Sequence, residues 1–376
     1  MKYLIIDDLA AKGWRAIIEK AVIRENNNLE SANNYEEAIE QIKTEWGLIF
    51  LDMRLNEDDH RVNRVEDYSG FKILKEIRKD FNSINYSTPI ILLTASNKIW
   101  NINAFLENGC DGYYIKEHPN FHFSKESSIQ NLENLQNDFA KLIVQGNQRR
   151  EVWELCNEII NTINKHQYFT SQDKRYNNVL NRIIDKLKLG YSQLFQKQKI
   201  LEKDILLAYN ESLSFIVFWS ILEEISKGFT NINETWDGTF ERKENWKFRN
   251  NEYFIEYEKQ KLTLNYSFKS GEFHKEYKTY DLGSKVYDKY SSKLPVNLSE
   301  QMYSLISAYA TDNSLFREIS KLFKEINSYR NNVDFIHSSV QNIITKDLID
   351  ENSVKNAYQM NLKILNLILR ILKLSV

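Results

Sequence analysis

Leu48-Ile49-Phe50-Leu51-Asp52-Met53-Arg54 decides the fold: it is a short apolar run that stops on a carboxylate. Three further runs share the design. Tyr3-Leu4-Ile5-Ile6 is followed by Asp7 and Asp8, Ile90-Ile91-Leu92-Leu93 by Thr94, and Tyr113-Tyr114-Ile115 by Lys116. Short apolar runs alternating with helical patterns read as buried parallel strands in βα units. Ligands of such sheets collect outside the carboxyl ends of the strands. These polar groups, distant in sequence, are therefore expected in one crevice. Three carboxylates there repel one another unless a hard cation binds them, and Mg²⁺ suits such a site. A lysine and a hydroxyl beside a Mg²⁺–carboxylate site point to a phosphoryl group.

Four motifs, Ile5-Ile6-Asp7-Asp8, Phe50-Leu51-Asp52-Met53-Arg54, Leu92-Leu93-Thr94-Ala95-Ser96 and Gly112-Tyr113-Tyr114-Ile115-Lys116, carry a family resemblance. Together they resemble the receiver domain of bacterial response regulators over about the first third of the chain. The resemblance implies an α/β doubly wound, flavodoxin-like domain that accepts a phosphoryl group on Asp52 from a histidine kinase or phosphotransfer protein. It implies Mg²⁺ held by Asp7, Asp8, Asp52 and the backbone carbonyl of Arg54. Thr94 and Lys116 would contact the phosphoryl oxygens, and Tyr113 matches the aromatic whose rotamer follows the threonine. Two departures stand out. Glu117 follows Lys116 where the family usually has proline, and Pro119 comes later. The loop after Asp52 is long, reaching Ser69-Gly70 only after the charged insertion Asn56 to Asp67. That insertion reads as a solvated surface loop. The sharper alternative is a segment that selects the kinase or docks a partner.

Composition sets outer limits. A chain of 376 residues suggests two or three domains. The formal net charge of −2 provides no whole-protein field for nucleic acid, so any RNA contact must use a local patch. Two cysteines, Cys110 and Cys156, make neither a disulfide framework nor a zinc spacing. The chain opens directly on a strand pattern, and no apolar run reaches the roughly 20 residues that cross a bilayer. A cytoplasmic protein is expected.

Past the first sheet the patterns change. Ile129, Leu132, Leu135, Phe139, Leu142 and Ile143 have helical spacing, and a second run, Val152 to Ile163, follows after Arg149-Arg150-Glu151. The expected division is a receiver domain over 1–146, a helical connector over 147–200 and a mainly α-helical bundle over 201–376. The nearly all-apolar stretch Ile205–Ile225 predicts a helix buried in that bundle. Near 246–282 the chain alternates with period two, as in Tyr253-Ile255-Tyr257 and Leu262-Leu264-Tyr266-Phe268, which predicts a small inserted β-meander. Helices are expected over about 297–310, 314–335 and 352–374.

The second constellation is Tyr329-Arg330-Asn331-Asn332-Val333-Asp334-Phe335-Ile336-His337. Seven residues along a helix nearly complete two turns, which places Arg330 and His337 on one side, roughly 10 Å apart. The stretch resembles the Arg-Asn-x5-His signature of HEPN domains, which are helical bundles and often dimeric, metal-independent ribonucleases. The resemblance implies Arg330, Asn331 and His337 as catalytic residues, RNA as substrate and a homodimer. The chemistry is self-consistent. A 2′-hydroxyl attacks its neighbouring phosphate, histidine moves protons near pH 7, and arginine holds the developing charge. The plainer alternative is a surface pair of Arg330 with Asp334, with Tyr329, Phe335 and Ile336 as packing residues. The other histidines, His60, His118, His122, His166 and His274, read as surface residues.

Two functions from different classes follow from these residues. One is a response regulator whose Asp52 phosphorylation controls a HEPN-like ribonuclease, in stress response or phage defence. The other is a signalling adaptor whose helical domain only dimerises or binds a partner.

Overall fold

The computed structural model describes residues 1–23, 29–56, 59, 61, 62, 64–95, 98–116, 124–165, 174–195, 203–229, 246, 247, 253–258, 261–264, 267–269, 272–274, 278–281, 298, 302, 306, 313–332 and 351–374. The chain divides into two compact units, Met1–Trp153 and Glu154–Val376.

The first unit holds a five-stranded parallel sheet of β1 (Tyr3–Ile6), β2 (Leu29–Ala32), β3 (Leu48–Asp52), β4 (Ile90–Thr94) and β5 (Gly112–Ile115). The order is β2-β1-β3-β4-β5. Alternation along each strand sends side chains to opposite faces, and both faces are covered. Leu4, Ile6, Ile49, Leu51, Ile90 and Leu92 pack against Phe71, Leu74, Ile102 and Phe105 on one side. Tyr3, Ile5, Phe50, Ile91 and Leu93 pack with Ile18, Leu135 and Leu142 on the other. The helices are α1 (Trp14–Ile17, continuing as a π-helical stretch Ile18–Ile23), α2 (Tyr35–Gln41), α3 (Ser69–Lys79) and α4 (Ile99–Glu107). Asn34 caps α2 by accepting a hydrogen bond from the Glu37 amide at 2.8 Å.

Helix α5 (Lys125–Lys165) closes the receiver face and runs on without a break at Arg149-Arg150-Glu151, where the sequence reading separated two runs. Arginine and glutamate are good helix formers. Their side chains leave the helix for defined partners. Arg149 Nη1 lies 2.6 Å from Asp111 Oδ1, and Arg150 donates to the Trp46 carbonyl at 3.1 Å and to Thr88 Oγ1 at 3.0 Å.

The second unit is mainly helical, with α6 (Lys174–Leu194), α7 (Lys203–Phe229), α8 (Asn313–Asn332) and α9 (Glu351–Leu374). Helix α6 presents Val179, Ile183, Leu187, Tyr191 and Leu194 as a buried stripe at helical spacing. It approaches α7 closely at Gly190, where an added Cβ would fall 2.3 Å from the Phe218 ring. Ser214 Oγ donates to the Gly190 carbonyl at 2.8 Å across the same contact. The expected β insertion is present. The four strands β6 (Trp246–Lys247), β7 (Tyr253–Glu258), β8 (Lys261–Leu264) and β11 (Lys278–Asp281) form an antiparallel sheet in the order β11-β8-β7-β6. Strands β9 (Ser267–Lys269) and β10 (Glu272–His274) pair separately. Of the helix expected over 297–310, only residues 298, 302 and 306 are described, each helical.

Candidate active site at the strand ends

The register of the parallel ladder places the predicted residues side by side. Ile6 pairs with Leu51, Asp52 with Leu93, and Thr94 with Ile115. Asp7 leaves β1, Asp52 ends β3, Thr94 ends β4 and Lys116 leaves β5, so all four reach the same sheet edge. Asp7, Asp52, Thr94 and Lys116 are buried, and Asp8 is exposed. The backbone fixes them further. The Asp7 amide donates to the Ala32 carbonyl at 3.0 Å, the Met53 amide to Leu93 at 3.1 Å and the Lys116 amide to Thr94 at 2.7 Å.

Carboxylate oxygens of Asp7, Asp8 and Asp52 lie within 4.8 Å of one another. Against them stands the ammonium of Lys116, which donates to Asp52 Oδ2 at 2.5 Å. It also meets Asp7 Oδ2 at 2.7 Å as an ion pair. Burial pushes the Asp52 carboxyl up to about 7; Lys116 pulls it down, and Asp7 adds to the rise. Burial and the neighbouring Asp7 also raise Asp8. Desolvation works against the Lys116 ammonium, but Asp52 and Asp7 outweigh it and hold its pKa above the ordinary value. Three clustered carboxylates facing one cation fit a divalent cation with oxygen ligands.

The surroundings add residues that the sequence did not single out. Trp14 lies with its ring centroid 5.6 Å from Lys116 Nζ and meets Tyr114 edge-on at 5.9 Å. The Thr94 hydroxyl is 3.8 Å from Met53 Sδ. Tyr113, the predicted switch aromatic, stands 42% exposed on β5. The Arg54 side chain turns to Tyr68, with its guanidinium 4.5 Å from the ring centroid and Nη2 donating to the hydroxyl at 2.8 Å.

The insertion after Asp52 is not uniformly solvated, contrary to the surface-loop expectation. Asp59 is 5% exposed, and Val62 and Val65 pack against the core. Asp59 accepts hydrogen bonds from the backbone on both sides of the excursion, which ties it down. The segment returns at Gly70, where an added Cβ would fall 2.1 Å from the Asp52 carbonyl oxygen. Only glycine permits this approach of α3 to the end of β3. No sequence signal distinguishes Asp59 from Glu57 and Asp58 beside it.

The second constellation is described in part. Tyr329, Arg330 and Asn331 lie in the last turn of α8, whereas His337 and Asp334 lie outside the described residues. Tyr329 packs edge-on against Phe215 at 4.9 Å, as a packing residue. The Arg330 guanidinium sits 5.1 Å from the Trp219 ring centroid. His60, His118, His122 and His166 fall outside the described residues; of His274 only the strand position is described. Cys110 and Cys156 are buried. Among the described residues, no helix is long and apolar enough to cross a membrane.

The family model for the response regulator receiver domain matches residues 3–122. Similar solved structures include a two-component response regulator from Clostridium difficile, at 26% identity over 36% of this chain and 96% of that one, with a TM-score of 0.26. The receiver domain of NtrX from Brucella abortus shares 20% identity over 36% of this chain and 98% of that one, with a TM-score of 0.26. The chemotaxis response regulator CheY4 of Vibrio cholerae shares 21% over 36% of this chain and 97% of that one, with a TM-score of 0.26. No curated protein matches the chain. With its sheet order and its acidic crevice, the segment 3–122 is a response-regulator receiver domain, and a mainly helical region follows it.

Proposed function

We propose that the protein is a two-component response regulator that takes a phosphoryl group on Asp52 from a histidine kinase or phosphotransfer protein. The observation that carries this reading is the convergence of Asp7, Asp8, Asp52, Thr94 and Lys116 at one sheet edge. Asp7, Asp8, Asp52 and the Arg54 backbone carbonyl would hold Mg²⁺. When bound, that ion neutralises the crowded carboxylates and the oxygens of the incoming phosphoryl group. A carboxylate oxygen of Asp52 attacks phosphorus, a P–O bond forms, and the bond from phosphorus to the donor breaks. Lys116, now paired with Asp52, turns its ammonium to a phosphoryl oxygen. The Thr94 hydroxyl donates to another, and Tyr113 responds to the move of Thr94.

The test uses a small phosphodonor, acetyl phosphate, with Mg²⁺ and the full chain. Intact mass should rise by one phosphoryl group in wild type and not in Asp52→Asn. An Asp52→Asn protein that is modified as fully as wild type removes Asp52 as acceptor.

In this reading a connector over 147–200 follows the receiver domain over 1–146 and leads to a helical domain over 201–376. The proposed output is metal-independent RNA cleavage by a homodimer through Arg330, Asn331 and His337. A second reading, a non-catalytic adaptor, is favoured by the Arg330 guanidinium lying on Trp219 as part of the helical packing. Incubation of phosphorylated and unphosphorylated protein with RNA in EDTA separates the two. Cleavage that spares DNA and is lost in His337→Ala supports the ribonuclease. Intact RNA with tight binding of a partner protein supports the adaptor.

A further inference from the structure

The peptide joining Arg54 to Leu55 is gripped from its N–H side. Leu55 N donates to Ser69 Oγ at 2.8 Å and to Asp59 Oδ2 at 3.0 Å. The same Asp59 oxygen accepts from Asn56 N at 3.3 Å and from Ser69 Oγ at 2.5 Å, while Asp59 Oδ1 accepts from Ser69 N at 3.1 Å. Asp59 and Ser69 are buried, at 5% and 3% exposure. One carboxylate thus ties Leu55-Asn56, where the insertion leaves β3, to Ser69, where it rejoins the fold. Gly70 seals the junction against the Asp52 and Met53 carbonyls.

A trans peptide is planar, with its C=O and N–H pointing in opposite directions. Holding the Leu55 N–H therefore fixes where the Arg54 carbonyl points. We propose that Asp59, acting with Ser69, is a positioning residue that aims the Arg54 carbonyl at the Mg²⁺ site, and that the insertion delivers this carboxylate. The inference rests on the Mg²⁺ reading of Asp7, Asp8 and Asp52. Asp59 touches no reacting atom; it acts through a backbone ligand, as groups behind metal ligands commonly do.

The test titrates Mg²⁺ alone into the full chain by calorimetry, at a temperature where circular dichroism shows each variant folded. Thermal unfolding in EDTA runs in parallel. Asp59→Asn keeps the shape but replaces one accepting oxygen with a donor, so Mg²⁺ affinity should fall roughly 10–100-fold. Ser69→Ala leaves Asp59 in place and should cost less, a few-fold. Asp8→Ala should cost more than either. If Asp59 only caps α3, Asp59→Asn loses thermal stability in EDTA while its Mg²⁺ affinity matches wild type, and the proposal is overturned. If Asp59→Asn does not fold, Ser69→Ala decides: weaker Mg²⁺ binding supports the proposal and unchanged binding overturns it. Wild type that binds no Mg²⁺, or Asp8→Ala that binds it as wild type does, brings down the metal reading itself.

Discussion

The strand-end crevice of the first unit and the Glu224 site of the second both bury carboxylates, and the surroundings of these two sites are opposite. Glu224 on α7 is matched by two cations, with Arg182 Nε at 2.8 Å and Lys186 Nζ at 2.9 Å. Lys186 also donates to the Ser220 carbonyl at 3.2 Å, so the cluster braces α6 against α7. Asp111, at the opposite edge of the receiver sheet from the crevice, follows the same rule. It accepts from Ile90 N at 2.9 Å and pairs with Arg149 at 2.6 Å and Arg78 at 3.5 Å. The strand-end crevice inverts that ratio, with three carboxylates and one lysine. The balanced charges at Glu224 and Asp111 hold elements together. The excess of carboxylates in the crevice is a repulsion that the rest of the fold holds in place.

The largest effect that sharpens this contrast is chemical. Asp52→Asn should reduce phosphoryl uptake from acetyl phosphate to background, as read by intact mass, because an amide cannot act as the carboxylate nucleophile. Glu224→Gln, which alters the brace, should leave uptake unchanged. Equal loss in both variants would mean that the crevice and the brace are not separable.

Stability should move the other way, and with pH. In the folded, metal-free protein Asp52 sits at about 7 against an ordinary 3.8, so the fold favours its protonated form. The unfolding free energy then falls as pH rises from about 4 to about 7 and levels above, since the folded state holds the extra proton across that window. Asp52→Asn removes the penalty. Its advantage over wild type in EDTA should grow through that window to an order of a few kcal/mol, moderated by Lys116. Saturating Mg²⁺ should shrink it. A constant difference from pH 4 to 8 would show that the crevice carries no stored repulsion.

How far these contrasts were legible in the sequence follows from the physics of each element. The strands and the crevice were readable because parallel strands buried on both faces are short continuous apolar runs, and each ligand candidate is the first polar group after such a run. Asp7, Asp52, Thr94 and Lys116 stand where that rule put them. Asp59 was hidden, since a charged insertion gives no local sign of which carboxylate turns inward to collect amides from Leu55 and Ser69. The unbroken α5 was hidden for a related reason. Arg149-Arg150-Glu151 looks like a polar separator, but the partners that absorb both arginines, Asp111, Trp46 and Thr88, lie far back in the chain.

Glu224→Ala should be destabilising by about 1–3 kcal/mol. That is below the full cost of breaking a buried pair, because Arg182 is nearly half exposed and water takes over part of its charge. Chemical denaturation followed by circular dichroism checks it. Stability equal to wild type would mean that α6 and α7 hold through Phe218, Gly190 and their apolar stripe alone, and that Glu224 is no brace.

The smallest expected effect concerns Arg330, which packs on Trp219 and is also the proposed phosphate-holding residue. Its guanidinium lies over the Trp219 ring, and Trp219 in turn stacks on Phe323 at 5.8 Å. A cation over an aromatic face at a partly exposed position contributes about 0.5–1 kcal/mol. Arg330→Gln should therefore lower stability by that amount, and Arg330→Lys by less, since lysine keeps a cation without the planar fork. The same two variants read the chemistry. If Arg330 holds a scissile phosphate, both should lose most RNA cleavage while unfolding within that narrow range of wild type, because lysine cannot reproduce bidentate contact. If Arg330 is only part of the packing, RNA handling should match wild type in both variants, and partner binding should change only as far as stability does. A loss above about 2 kcal/mol in Arg330→Gln would exceed what a single cation–π contact supplies, and would place Arg330 with Glu224 among the braces.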